Sequence, residues 1–431
     1  MEELFPDLPH TPVVKPSPGA PRLRRAERHQ VELQTISLDD LIGPDHLARL
    51  VWDMVQRFHL QPLLDQIDAR EAAPGHPPAD PAILVALWLY ATLDGVGSAR
   101  ELARLCEHHH AYRWICGGVS TNHHTLSDFR LAHADWLDRE LTRAVAGLMA
   151  AGEVDLATVA HDGMRVRAAA GGSSFRRKPR LEDLLAAAKA RVTALKTELA
   201  HEPAARTRRQ AASERAASER IQRIEAALAA VPQAEARKKR NKGKPEHARV
   251  STTDAEARVM KMPDGGFRPA YNVQFAAETQ HGLLTAVAVT NSGADQDALD
   301  VMHARVTQAY GRAPDNWLVD GGYVSQAGIE AVTARGSKLH APLGTALARS
   351  DSPAIVAWRK LMASEPGKLL YRRRGQTIEW VNAGARGRGL YGVNVRGTRK
   401  VRAVALWHAL AHNLRCILRI PRLREIAWTT A

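Results

Sequence analysis

The stretch Asn316-Trp317-Leu318-Val319-Asp320-Gly321-Gly322-Tyr323 decides the fold of this chain. Its apolar run at positions 317–319 predicts a short buried strand, and the two glycines after Asp320 predict a turn. The pattern therefore places a carboxylate at the end of a strand, where a polar side chain is free to take part in chemistry.

A second stretch upstream has a similar pattern. The largely apolar run from Val154 to Ala160 closes on His161-Asp162-Gly163, which predicts another strand that ends in Asp-Gly. Because strand neighbours face opposite sides, His161 is expected to point away from Asp162. Taken alone, either Asp-Gly pair is most simply explained as a turn, the commonest role of that dipeptide.

A third acid, Glu379, follows three arginines at positions 372–374. The simplest explanation is a salt bridge with those arginines. The alternative is metal-dependent phosphodiester chemistry, because hard divalent cations take oxygen ligands and the substrate is a polyanion.

Composition limits the classes of function. The 431 residues carry a net charge of +14 with a pI near 10.0, which favours a polyanionic partner. From residue 371 to the end, thirteen Lys and Arg face two acids, an excess of eleven that lies beside Glu379. No apolar run reaches bilayer length and the three cysteines are scattered, so we expect a cytoplasmic, nucleoid-associated protein without a membrane partner.

The chain divides into three parts by its sequence patterns. Residues 1–35 are a proline-rich, basic lead-in, and residues 36–150 predict an all-helical domain, with caps at Asp80 and Ser98. Helices near 98–108 and 125–133, the second continuing through Trp136, flank a turn-rich linker. They could form a helix-turn-helix-like DNA reader with Arg130 facing a groove, or an ordinary bundle that supports the rest of the chain.

The remaining residues, 151–431, predict strands that are interrupted by helices. Apolar stripes with spacings of three and four predict an antiparallel helical hairpin inserted at 181–245. The predicted order is strand, helical insertion, strand, strand, helix and strand, which is an α+β or mixed α/β class.

The acids, in this order and setting, resemble the DDE transposases of bacterial insertion sequences. The resemblance also includes Ser127-Asp128-Phe129-Arg130 and the closing Leu410-Ala411-His412-Asn413-Leu414. It implies a ribonuclease-H-like catalytic domain in which Asp162, Asp320 and Glu379 hold two Mg²⁺ ions, which Mn²⁺ could replace.

The segment around Glu379 resembles the family signature of Tyr, Arg, Glu and Lys. Tyr371 and Arg374 keep the first spacing, but four residues instead of three separate Arg374 from Glu379, and Arg386 stands in the place of the lysine. With Arg130 and Arg396, these basic and aromatic residues are the candidate DNA contacts.

The resemblance implies a transposase that binds the terminal inverted repeats of its own element. It would cleave and transfer strands with a metal, and its partners would be the double-stranded DNA of the element ends and of the target. Pairing two ends implies a homodimer. Two alternatives remain open: a metal-dependent nuclease that does not join strands, and a DNA-binding regulator or catalytically decayed transposase.

Overall fold

The computed structural model describes residue 29 and residues 35–69, 77–201, 208–343 and 352–429. Apart from residues 29 and 35, the predicted lead-in lies outside the described residues. The amino-terminal helices are α1 (Leu47–Val55), α2 (Gln61–Leu64), α3 (Pro81–Leu93), α4 (Ala99–His108), α5 (His110–Cys116), α6 (His123–Ala132) and α7 (Ala134–Ala150).

Helix α3 is the centre of this helical region. Asp80 accepts a hydrogen bond from the Ala82 N–H and Pro81 occupies the first turn, which confirms the predicted cap. Every residue of α3 from Pro81 to Thr92 is buried. A helix that is apolar on all sides needs neighbours on all sides, and α1, α5, α6 and a carboxy-terminal helix supply them.

Two predictions for the helical region are wrong. The linker between the two candidate reader helices contains a helix of its own, α5, which is capped by His109 and ends at Gly117 in the left-handed conformation. The helix predicted to run from residue 125 through Trp136 is two helices, because His133 leaves helical geometry between α6 and α7. The cap of α6 is Asn122, which accepts from the N–H groups of His124 and Thr125.

Eight strands are present in the described part of the sheet region. They are β1 (Thr158–Arg167), β2 (Phe175–Arg176), β3 (Val250–Ser251), β4 (Arg258–Lys261), β5 (Phe267–Glu278), β6 (Leu284–Thr290), β7 (Asn316–Leu318) and β8 (Lys338–His340). The main sheet has the order β4-β5-β1-β7-β8, and β6 pairs with β5 beside this path. Strands β7 and β8 run parallel to β1, whereas β5 runs antiparallel to it. A mixed sheet with helices confirms the α+β class.

Strand β1 does not end at Asp162-Gly163, which corrects the sequence prediction. It pairs with β5 without interruption from Val159 to Arg167. Continuous antiparallel hydrogen bonding outweighs the local turn preference of Asp-Gly, so Asp162 lies in mid-strand.

The other helices are α8 (Lys178–His201), α9 (Arg208–Ala229), α10 (Val231–Arg240), α11 (Gln296–Tyr310), α12 (Gln326–Ala334), α13 (Pro353–Ala363), α14 (Glu365–Arg374), α15 (Trp380–Gly387), α16 (Thr398–Arg419) and α17 (Pro421–Thr429). Helices α8 and α9 form the predicted hairpin, with Lys189 and Glu225 paired across it at 3.3 Å. The insertion begins at residue 178, a little earlier than expected, and α10 adds a third helix. None of the described helices is long and apolar enough to cross a bilayer.

Helix α16 joins the helical region to the sheet. It packs on α3, α6 and α7 on one side and on β5 and β6 on the other. Trp407 Nε1 donates to the Arg130 carbonyl at 3.0 Å, and Arg402 pairs with Asp135 and Asp138. Asn413 holds both backbone groups of Leu284, accepting from its N–H at 2.7 Å and donating to its carbonyl at 2.8 Å. One hydrophobic core therefore runs through residues on both sides of the predicted boundary at 150.

Candidate active site

The parallel pairing of β1 with β7 brings Asp162 and Asp320 side by side. Ala160 of β1 pairs with Leu318, the last residue of β7. Asp162 and Asp320 each lie two residues further along the chain, so they are at the same level of the sheet. Because side chains two apart share a face, both carboxylates leave the sheet on the same side. Asp162 and Asp320 are 158 positions apart in sequence, which is the same offset as that between the paired residues of β1 and β7.

The third acid comes from a helix that packs over this side of the sheet, and Arg374 lies among all three. The Arg374 guanidinium is 3.4 Å from Asp162 Oδ2, 3.9 Å from Asp320 Oδ2 and 3.8 Å from Glu379 Oε1. The three acids therefore converge on one cation. The structure brings together the residues that the sequence placed far apart.

A π-helical turn explains the spacing between Arg374 and Glu379. Helix α14 passes into a π-helix at Gly375–Glu379 and then into α15 without leaving helical geometry. A π-helix bonds residue i to i+5, so residues five apart lie one above the other as residues four apart do in an α-helix. The extra residue relative to the family signature is absorbed in this turn, and both side chains reach the same site.

Each aspartate is anchored by one oxygen and presents the other. Asp162 Oδ1 accepts from the Gly163 N–H at 2.9 Å, and Asp320 Oδ1 accepts from the Gly322 N–H at 2.8 Å. In both cases Oδ2 is the atom that faces Arg374. Asn382, three residues after Glu379 on the same helix face, donates to Asp162 Oδ2 at 3.1 Å.

Exposure increases across the three acids, from 18% for Asp162 to 43% for Asp320 and 70% for Glu379. Burial raises the pKa of Asp162 to about 6, and the nearby Asp320 and Asp295 raise it too, while Arg374 and the Gly163 N–H act in the opposite direction. One guanidinium does not fully compensate the buried carboxylate. The site consequently has an unmet preference for positive charge.

The ligand atoms of the site are of the type that a hard divalent cation prefers, but the present positions of the side chains do not form a metal site. All three acids and Asn382 offer oxygen ligands, and Asn382 Oδ1 is buried without a hydrogen-bond partner. Within the described ranges, however, no group of three or more His, Cys, Asp and Glu side chains is arranged to hold a metal ion. Arg374 lies where the carboxylates meet.

A buried polar network supports the site from behind the sheet. His161 Nε2 and Tyr323 Oη both bond Gln274 Oε1, at 2.7 and 2.6 Å, and Gln274 Nε2 donates to Asp295. Burial lowers the pKa of His161 to about 4, so the imidazole is neutral. As predicted, His161 points away from the acids. Through Tyr323, the network fixes the turn that follows Asp320.

The remaining predicted residues fall into different settings. Tyr371 is half-buried at the site, and burial raises the pKa of its hydroxyl. Arg386 and Arg396 are exposed. Arg130 does not face outward: its guanidinium donates to the Gly97 carbonyl and stacks on Trp88 with 4.5 Å to the ring centroid.

Sequence analysis missed two features of the site. Asn382 carried a usable signal, because three positions beyond Glu379 on a helix is the same face. No signal in the sequence indicated that Arg374 lies at the centre of the site. Its distance to Asp162 depends on the packing of a helix 212 positions away along the chain.

Comparison with known proteins supports a transposase family. Residues 36–131 match the family model described as a transposase domain (DUF772), which covers α1 to most of α6. No curated protein matches the chain. No solved structure matches it either.

Proposed function

We propose that the chain is a DDE-type DNA transposase that binds the inverted repeats at the ends of its own element. The observation that carries the proposal is the convergence of Asp162, Asp320 and Glu379 on Arg374. They converge above a mixed sheet whose strands and helical insertion follow the chain order predicted from the sequence. The transposase-domain match at residues 36–131 supports the same class of function independently.

The acids would act as ligands of Mg²⁺. When bound, such ions activate an attacking hydroxyl and stabilise the leaving oxygen of a phosphodiester. The chain itself prepares the ligands. Gly163 and Gly322 hold the Oδ1 atoms, which leaves each Oδ2 directed into the site, and Asn382 orients Asp162. Arg374 would give up its contacts with the carboxylates to a cation and become free to contact a phosphate.

The DNA partner is proposed from the distribution of basic side chains. Arg386 lies on α15 two helical turns beyond Glu379, and Arg396 lies beside Arg220 and Arg223 of the inserted hairpin. Such side chains bind phosphates without reading sequence, so they would position the duplex over the acids. Two copies of the chain would hold the two ends of the element.

The test is a strand-transfer assay. The purified protein is incubated with a labelled duplex carrying one element end and with a supercoiled plasmid, in Mg²⁺ or in EDTA. Asp320→Asn removes a carboxylate of the site, and Asp315→Asn is the matched control because Asp315 is exposed and directly precedes β7, the strand that leads to Asp320. We expect Mg²⁺-dependent nicking and joined products from the wild type and the control, and neither from Asp320→Asn.

Other outcomes would select the alternatives. Cutting without joined products would identify a nuclease. Salt-dependent binding of the end, without cutting under any divalent metal, would identify a DNA-binding protein in which Arg374 permanently takes the place of the cation.

A further inference from the structure

A pocket lined with arginines lies between the helical region and the sheet region, apart from the acidic site. Its cavity of about 430 Å³ is in the range of small-ligand sites, ~300–1,000 Å³. The turn between α3 and α4, the end of β1, the loop at 388–394 and helix α16 form its walls. Arg130, Arg167, Arg388 and His408 line it.

The positive charge in this pocket is not compensated. Arg388 is only 8% exposed, and its Nε and Nη2 are buried without hydrogen-bond partners, as is Arg130 Nε. No Asp or Glu is found among the described lining residues. An isolated buried guanidinium is costly, so several unpaired N–H donors in one cavity indicate a site for an anion.

His408 is a further buried side chain of this pocket with an unpaired nitrogen. It is 5% exposed and its Nδ1 has no partner. Burial lowers its pKa to about 3, and Arg130 and Arg388 lower it further in the same direction. The imidazole is therefore neutral beside two guanidinium groups and is able to donate a hydrogen bond to an oxyanion without adding charge.

The chemistry of the donors selects the ligand. Planar guanidinium groups present paired N–H donors that match phosphate oxygens, and they are the usual means of binding phosphate in partly buried sites. A carboxylate would accept fewer of these donors than a tetrahedral phosphate group does.

The pocket is connected to the acidic site by one helix. Asn382, which contacts Asp162, lies on α15, and Arg388 is the residue that directly follows this helix.

We infer that the Arg130–Arg388–His408 pocket binds a phosphate of the DNA backbone, separate from the phosphate held at the acidic site. The inference rests on the proposed function for the source of the phosphate. The pocket itself stands on its unpaired buried donors. Since its walls come from both the helical region and the sheet region, an occupied pocket would link DNA binding to both.

Phosphate titration of the full chain without DNA tests the pocket. The unfolding temperature is measured in inorganic phosphate and in chloride of equal ionic strength, for the wild type, Arg388→Gln, Arg388→Lys and Arg104→Gln. The last is the matched control, because Arg104 is exposed and paired with Glu101. We expect phosphate to stabilise the wild type and Arg104→Gln but not Arg388→Gln, with partial recovery in Arg388→Lys. Without phosphate, Arg388→Gln should be at least as stable as the wild type, because it removes an unpaired buried charge.

Salt-dependent binding to an element-end duplex tests the source of the phosphate. Loss of one phosphate contact reduces the slope of log affinity against log salt by about 0.9, and we expect this change in Arg388→Gln and not in Arg104→Gln. Phosphate stabilisation that requires Arg388, together with an unchanged slope, would overturn the DNA source in favour of free phosphate. Equal stabilisation of the wild type and Arg388→Gln, or of neither, would overturn the pocket. A wild type that fails to cut DNA would refute the catalytic proposal and leave the titration unaffected.

Discussion

The two Asp-Gly pairs offer a sharp test of the site, because their glycines are equivalent in sequence and different in structure. A methyl group on Gly163 would overlap Gln274 Nε2 and lie 2.6 Å from Asn272 Oδ1 and 2.9 Å from Asp295 Oδ1. A methyl group on Gly321 would meet nothing within 4 Å. Neither glycine has a positive φ, so the comparison isolates the available space.

The magnitude for Gly163→Ala follows from the groups that must move. Asn272 and Gln274 are fully buried, and both donate to Asp295. Gln274 also accepts from Tyr323. Leaving a buried polar group without its partner costs ~1–3 kcal/mol. Since one or two such groups would lose partners, we expect Gly163→Ala to lower the free energy of unfolding by about 2–4 kcal/mol. Gly321→Ala should change it by less than about 0.5 kcal/mol.

Urea denaturation of the two variants and the wild type measures this difference. Tyr323 lies in the turn after Asp320 and donates to Gln274, the side chain that a methyl group on Gly163 would displace. We therefore expect Gly163→Ala to shift Asp320 and to reduce strand cleavage, even where the protein is fully folded. Similar unfolding free energies for the two variants would refute the argument that Gly163 is required by the polar network behind the sheet.

Three further predictions follow from other contacts. Asn413→Ala should cost about 2–4 kcal/mol in urea denaturation, because both backbone groups of Leu284 lose their partner in a buried position; an unchanged midpoint would show that water replaces the amide. Burial raises the Asp162 pKa to about 6 from 3.8, so the folded state binds the proton more tightly than the unfolded state and stability falls as pH rises from about 4 to 6. Thermal unfolding in EDTA should therefore find Asp162→Asn more stable than the wild type at pH 8 and similar to it at pH 4; equal stability at both would contradict the burial argument. Deleting Gln376 should convert the π-turn to α-helix and keep cleavage, whereas inserting an alanine there should turn Glu379 away by about 100° and abolish it; a cleavage assay on both variants decides.

The sequence was sufficient for features that depend on local signals. The caps at Asp80 and Ser98, the strand before Asp320 and the paired helices of the insertion follow from residue type and spacing over a few positions. Those signals are strong because they are formed by neighbours in the chain.

Other features depend on partners that are distant in sequence, and local signals mislead there. Asp-Gly at 162–163 has the composition of a turn, but β5 holds it in a strand. The linker at 109–124 lacks an apolar stripe long enough to suggest a helix, and α5 forms because Tyr112 and Ile115 pack into the core beside α3. The charge of Arg130 gave no indication that its guanidinium stacks on Trp88 of another helix and lines a pocket beside the sheet region.

The central position of helix α16 has a consequence for how the protein is made. Helix α3, apolar on every side, is covered on one side by residues 398–419, which are synthesised about 300 residues after it. Until those residues emerge from the ribosome, the helical region lacks part of its core and exposes apolar surface. A product that terminates before residue 398 should therefore aggregate instead of persisting as a separate DNA-binding fragment. We therefore expect the helical region and the sheet region to reach their folded states only together.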